Sequence, residues 1–315
     1  MSPEPAITGG RVSSHWTVAD IPNLSGTVAI VSGANSGIGL EASRELARKC
    51  ATVVLACRSA RRGQRAAVSI RSEIPGACVE VMALDLASLA SIRRFTEAFK
   101  QDYDRLDLLL NSAGVLLVPF STTANGFESH FGINHLGHFA LTGLLIERLL
   151  ATAGSRIVTV SSRAHAVGRI DSADLRVEGR DRYSAARAYA RSKLANLLFT
   201  YELQRRLSKA DTIAVAAHPG GAATGLGRRM GNHRFYRVVL PLLEWLSQSA
   251  AQGARPILRA ATDPGVRGGE YYGPSGFLGM RGRPVRVQSA RRAHDHDAAR
   301  RLWSVSEELT GVRFP

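Results

Sequence analysis

Cysteine is scarce in this 315-residue chain, which has only Cys50, Cys57 and Cys78. An odd count without paired spacing excludes a disulfide framework and points to a reducing compartment, so a cytoplasmic protein is expected. Long apolar runs are missing too. Nothing reaches the ~18 residues that a membrane-spanning helix needs. The nearest stretch, residues 235–246, is interrupted by Arg237, Pro241 and Glu244. The first 25 residues carry no apolar core of signal-peptide type. Acid is in short supply: 26 Asp and Glu stand against 41 Lys and Arg, which leaves a net charge of +15. The arginines are scattered in short clusters, and no recognition motif accompanies them, so a nucleic-acid partner is not expected. A solvated basic surface and an anionic small ligand account for the charge. Internal repeats and low-complexity segments are absent.

What is present is an ordinary globular composition, 45% hydrophobic and 21% charged. Residues 1–24, with Pro3, Pro5, Gly9, Gly10 and Pro22, read as an irregular N-terminal arm. From residue 25 to 315 the pattern predicts one domain. Short β-branched or apolar runs at 27–31, 52–56, 79–84, 106–110, 156–160 and 213–217 read as buried strands. Segments 37–49, 58–74, 88–99, 127–150 and 185–207 read as helices, the second stopped by Pro75-Gly76. This alternation predicts an α/β Rossmann fold, a doubly wound parallel sheet with helices on both faces. After Pro219 the rhythm breaks. Residues 220–250 are expected to form a substrate-facing insertion, and 290–315 a C-terminal helical tail.

Ser32-Gly33-Ala34-Asn35-Ser36-Gly37-Ile38-Gly39 joins the first strand to the first helix. Gly33 permits a tight turn, Gly37 lets the backbone approach a pyrophosphate, and Gly39 lets the helix pack close to the sheet. The phosphates would rest on free N–H groups at the helix N-terminus. The second strand ends in Ala56-Cys57-Arg58. A site for NAD(H) wants a carboxylate there for the ribose 2′-hydroxyl. Cys57 supplies none, and Arg58, followed by Arg61 and Arg62, suits a 2′-phosphate instead. NADP(H) is therefore expected in preference to NAD(H).

The G-x-x-x-G-x-G spacing resembles the TGxxxGIG turn of the short-chain dehydrogenase/reductase family, with Ser32 in place of its Thr. Tyr189 and Lys193, four apart on one helix face, resemble that family's YxxxK pair. Ser162, 27 residues before Tyr189 at the end of a strand, and Asn134, in Asn134-His135-Leu136-Gly137, complete the likeness to its Asn-Ser-Tyr-Lys tetrad. His218-Pro219-Gly220 resembles its PG turn, and Asn111-Ser112-Ala113-Gly114 its NNAG. The match spans roughly residues 25–225. The resemblance implies hydride transfer between a nicotinamide and a CH–OH or C=O group. Tyr189 would carry the proton, with its pKa lowered by Lys193; Ser162 would bond the developing oxyanion, and Asn134 would anchor a proton-relaying water. It further implies cofactor contacts from Gly33, Asn35, Ser36, Gly37, Ile38, Gly39, Arg58, Asp85, Leu86, Asn111, Ala113, Tyr189, Lys193, Pro219 and Gly220.

Phe131-Gly132-Ile133-Asn134-His135-Leu136-Gly137-His138-Phe139, Ala56-Cys57-Arg58 and Tyr271-Tyr272-Gly273-Pro274 look like the retinol-dehydrogenase and protochlorophyllide-reductase branch. That branch handles lipophilic alcohols and aldehydes with NADP(H). The apolar residues of 235–246, Trp245 among them, read as core or as a lipophilic pocket. His135, His138 and His165 read as packing residues. His294-Asp295-His296-Asp297 reads as a helix cap and not as a metal site, and no metal is expected. Two other readings stand beside the enzyme: a silent NADP(H)-binding regulator and a membrane-surface interaction protein using the basic apolar segment 228–246. Peripheral membrane contact and a homo-oligomer stay open.

Overall fold

The computed structural model describes residues 15–170, 183–221 and 248–315. Eight strands form one sheet in the order β3-β2-β1-β4-β5-β6-β7-β8. In chain order the elements are β1 (Val28–Ser32), α1 (Gly37–Arg48), β2 (Thr52–Cys57), α2 (Ala60–Glu73), β3 (Val79–Ala83), α3 (Leu89–Asp102) and β4 (Leu108–Asn111). There follow α4 (Ser129–Phe131), a π-helical segment (Gly132–Leu136), α5 (Gly137–Leu150), β5 (Arg156–Val160), α6 (Ala185–Arg206) and β6 (Ile213–Ala217). The last elements are α7 (Ala250–Thr262), β7 (Tyr271–Pro274), β8 (Pro284–Arg286) and α8 (His296–Thr310). All neighbouring strands run parallel except the β7–β8 pair.

The strands are apolar throughout because both faces are covered. Along β1, Ala29 and Val31 pack with Leu46 of α1, Ile70 of α2 and Ile257 of α7. Val28 and Ile30 pack on the other face with Phe95 of α3, Leu145 of α5 and Phe199 of α6. The sheet order reverses between β1 and β4, and crevices at the strands' carboxyl ends open at such a point.

Of the stretch expected to be an irregular arm, the described residues 15–24 carry a 3₁₀ turn, Val18–Asp20, capped by Thr17. Trp16 and Ile21 on either side are buried in the core. The helix expected over 127–150 starts later, because the Glu128 carboxylate accepts from the N–H groups of His130 and Phe131 and so caps it. It also contains a π turn, in which Gly137 N donates to Gly132 O five residues back. After Pro219 the chain adds α7, β7 and β8 to the layers. These strands escape sequence reading because they have four and three residues and include Gly273, Pro274 and Pro284. Of the insertion expected at 220–250, residues 222–247 lie outside the described residues. Asp295 caps α8, accepting from Ala298 N at 2.9 Å. Among the described residues no helix is long and apolar enough to cross a membrane.

Candidate active site

The turn after β1 folds as its glycines require. Gly33 and Gly37 take φ of 71° and 57°, the left-handed region that side chains avoid. At Gly39 a Cβ would stand 2.8 Å from Gly33 O, so α1 could not approach the turn with any larger residue there. Ser36, the N-cap of α1, makes no side-chain capping bond. The first N–H groups of α1 are thus left without that partner, the condition that suits an anion. They open onto a cavity of about 510 Å³. Gly33, Asn35, Ser36, Gly37, Ile38, Gly39, Arg58, Asp85, Leu86 and Ala113 all line it. Volume, glycine cradle and free helix end together fit a dinucleotide.

At the end of β2, Arg58 and Arg62 line the same cavity. Cys57 is buried beside them. Burial pushes its thiol up to about 11, against hydrogen bonds from the backbone of Ala34 and Asn35. The position therefore stays neutral at physiological pH.

A hydrogen-bond chain ties the glycine turn to the π turn. Ser32 Oγ accepts from Ser112 N at 2.9 Å and from Ala113 N at 3.0 Å. With those lone pairs used, its proton goes to His138 Nε2, 2.9 Å away. His138 Nδ1 then carries the ring proton and donates to Asn134 O at 3.0 Å. Burial holds His138 down at about 4, so the neutral ring this chain requires is the stable one. His135 and His165 are likewise buried and bonded, to Ser306 Oγ at 2.9 Å and to Ser162 O at 2.6 Å. The hydroxyl at position 32 thus holds β1 to the end of β4.

Tyr189 and Lys193 lie one turn apart on α6, with Lys193 Nζ 5.8 Å from the centre of the Tyr189 ring. Ser162 follows β5, close enough for its hydroxyl to act on the Tyr189 phenol. Burial raises the phenol, and Ser162 pulls it only part of the way back. The lowering expected from Lys193 is therefore not found in the free protein. Lys193 Nζ is turned to Val160 O, to which it donates at 3.0 Å. Burial brings Lys193 down to about 8, so it remains charged near neutrality. A Cβ on Gly114, which lines the cavity, would stand 3.7 Å from Lys193 Nζ and 3.0 Å from Asn134 Oδ1. The Lys193 and Asn134 side chains thus back directly onto the cavity wall.

Several of the expected residues are held by bonds within the protein. Asn111 is fully buried, its Nδ2 donating to Thr142 Oγ1 at 3.0 Å, so it ties β4 to α5 and is not among the cavity's lining residues. Asn134 keeps its amide busy: Nδ2 donates to Val115 O and Ser192 Oγ, each at 3.0 Å, and Oδ1 accepts from Val115 N at 2.8 Å. Gly220 N donates to His218 Nδ1 at 3.2 Å, and Pro219 O accepts from Gln248. The sequence reading missed Val115, Leu116, Val118 and Ile133 as lining residues. The first three follow Asn111-Ser112-Ala113-Gly114, and Ile133 directly precedes Asn134; those neighbourhoods are the signals that could have found them.

Residues 27–174 match the short chain dehydrogenase family. Retinol dehydrogenase 12 of Mus musculus is 41% identical over 293 residues, which cover 92% of this chain and 88% of that protein. Retinol dehydrogenase 13 of Homo sapiens is 41% identical over 314 residues, covering 98% and 90%. Among solved structures, an uncharacterised protein from Mycobacterium paratuberculosis is 43% identical with a TM-score of 0.78, over 95% of this chain and 99% of that one. A 3-ketoacyl-(acyl-carrier-protein) reductase from Brucella melitensis, 22% identical, shares the fold with a TM-score of 0.60 over 79% and 96%. The chain belongs to the short-chain dehydrogenase/reductase family, in its retinol-dehydrogenase-like branch, and is an oxidoreductase acting on CH–OH or C=O groups with NAD(P)(H).

Proposed function

We propose that the enzyme works with NADP(H) on a lipophilic alcohol, aldehyde or ketone, and that Tyr189 is its proton donor and acceptor. The observation that carries this reading is the Tyr189 phenol, acted on by the Ser162 hydroxyl and standing beside the buried Lys193 ammonium, which backs onto the cavity wall. When bound, the nicotinamide supplies or takes up the hydride. Gly33, Ser36, Gly37 and Gly39 form the pyrophosphate cradle, with Arg58 and Arg62 at the far end. Tyr189 Oη gives its proton to the oxygen of a carbonyl being reduced, or takes one from an alcohol being oxidised. Ser162 Oγ donates to that oxygen while its charge develops. Lys193 Nζ favours the phenolate electrostatically and serves the ribose hydroxyls. Asn134 acts through Val115 and Ser192, which it holds against the wall. The three free thiols support a cytoplasmic location.

The preference for NADP(H) rests on a neutral Cys57 where a carboxylate would repel a 2′-phosphate, and on Arg58 and Arg62 beside it. Arg58→Ala is expected to weaken NADPH by about 1.5–3 kcal/mol, the range of a hydrogen bond to a charged group, and to spare NADH. Titration calorimetry with both cofactors measures this. Equal losses for the two would refute the assignment.

The lipophilic substrate is supported by the apolar residues of 235–246 and by relatives named for retinol, an apolar alcohol. Each methylene buried should add about 0.8 kcal/mol. Followed as NADPH oxidation, kcat/KM is therefore expected to climb roughly fourfold per carbon along a linear aldehyde series until the pocket fills. A flat profile would remove the lipophilic substrate and leave the hydride chemistry standing.

A further inference from the structure

The cavity wall after Gly114 is strained and pinned at two points. Val115, Leu116 and Val118 line the cavity. Leu117 among them has φ of 49°, left-handed backbone in which a Cβ crowds the following carbonyl. A leucine stays there only when its surroundings over-determine it. The first pin is Asn134, which bonds both the N–H and the carbonyl of Val115. The second is His130, whose Nε2 accepts from Val118 N at 3.3 Å. The Tyr183 hydroxyl reinforces it, 3.2 Å from Val118 O and 3.1 Å from Glu128 Oε1.

His130 is completely buried and does not line the cavity. Since Nε2 accepts, the ring proton sits on Nδ1, 2.9 Å from Glu128 Oε1. Glu128 is fixed in turn by the N–H groups of His130 and Phe131, at 2.8 and 2.9 Å. Arg191 Nη2 stands 3.8 Å from its other oxygen. Arg191 lies on α6 two residues beyond Tyr189, and the rings of His130 and Tyr189 meet edge to face with centroids 6.1 Å apart. The strained wall, the buried carboxylate and the helix that carries Tyr189 form one connected unit.

We propose that His130, oriented by Glu128, is a positioning residue that holds Val118, and with it the strained wall, in register with Tyr189. It thereby sets the affinity of the cavity for the dinucleotide without touching it. This rests on the cavity being the dinucleotide site and extends that reading to residues outside it.

Two substitutions separate the functions of the ring. His130→Gln keeps an acceptor near the position of Nε2 and loses the donor at Nδ1. His130→Asn keeps a donor near Nδ1 and loses the acceptor for Val118 N. NADPH binding is measured by nicotinamide fluorescence on the full chain, with a thermal midpoint for each variant. His130→Gln should leave the NADPH dissociation constant within about twofold of the parent, whereas His130→Asn should raise it about five- to tenfold, the loss of one buried hydrogen bond. A purely structural histidine would lower both midpoints and shift both affinities alike. Equal affinities in the two variants therefore overturn the proposal, whatever the midpoints. Failure of the parent protein to bind either NADPH or NADH overturns the cavity assignment itself, and the proposal with it.

Discussion

Tyr189→Phe is expected to cut turnover by about 10²–10⁴-fold, the share that a positioned proton donor contributes, while NADPH binding stays within about twofold. The substitution removes one hydroxyl from a ring packed 5.8 Å from Lys193 Nζ and 6.1 Å from the His130 ring. Both neighbours keep their own partners, Val160 O and Val118 N, so little is left unsatisfied. Lys193→Ala should behave differently and damage both binding and turnover. It takes away the ammonium beside the phenol, although Asn196 Nδ2 still donates to Val160 O at 3.0 Å. The raised phenol also sets the direction of pH dependence. It keeps its proton through neutral pH, so reduction starts with the acid in place, whereas oxidation needs the phenolate and climbs with pH. Near-parental kcat for Tyr189→Phe on a verified substrate would show that another group carries the proton.

Acid should unfold this protein early, because it buries neutral histidines. Burial holds His135 and His218 down at about 3 and His138 at about 4, against 6.5 for the free ring. For each, the unfolded chain binds a proton between pH 6.5 and the folded value while the native chain does not. Stability is therefore full above about 6.5 and falls as the pH drops through that window. At pH 5 each ring costs about 2 kcal/mol, and the three together about 6 kcal/mol. That is comparable with the whole stability of many domains. Lys193 adds no slope here, since its window lies between about 8 and 10.5. Glu128 and Glu202 sit below 4.5, where hydrogen bonds from His130 and Arg205 outweigh burial. They contribute only at more acid pH. Urea midpoints at pH 8 and pH 5 measure the effect, and a loss below about 2 kcal/mol would mean that these rings take up protons without unfolding.

Much of this was legible in the residues, for reasons that differ by feature. The glycine turn is a contiguous motif whose backbone demands appear directly in residue type: Gly33, expected to make a tight turn, occupies the left-handed region, and so does Gly37. Tyr189 and Lys193 share a face because helical spacing puts them there. The π turn left no such mark: it changes which carbonyl Gly137 bonds, and side-chain pattern records that poorly. Asn111 was placed by the likeness of Asn111-Ser112-Ala113-Gly114 to the family's NNAG and by its position at a strand end. Alternation along β4 also records which face it takes, since Leu110 packs with α1 and α2, while Leu109 and so Asn111 face α5. The raised phenol was beyond reach, because burial and the turn of Lys193 toward Val160 depend on tertiary packing.

The segment Gly132–Leu136 carries a further implication for anyone who would engineer this chain for heat resistance. A π turn holds one residue more than an α-helix needs over the same path. Deleting that residue would let an unbroken helix run from α4 into α5, with every backbone bond in ordinary register. Asn134 would then rotate by about 100° relative to Phe139 and Leu141, releasing Val115 and Ser192. Selection on melting temperature alone would favour the shorter helix and recover sturdy molecules with a misassembled cavity. The surplus residue is a tolerated irregularity, and screens that score folding without scoring cofactor capture would erase it.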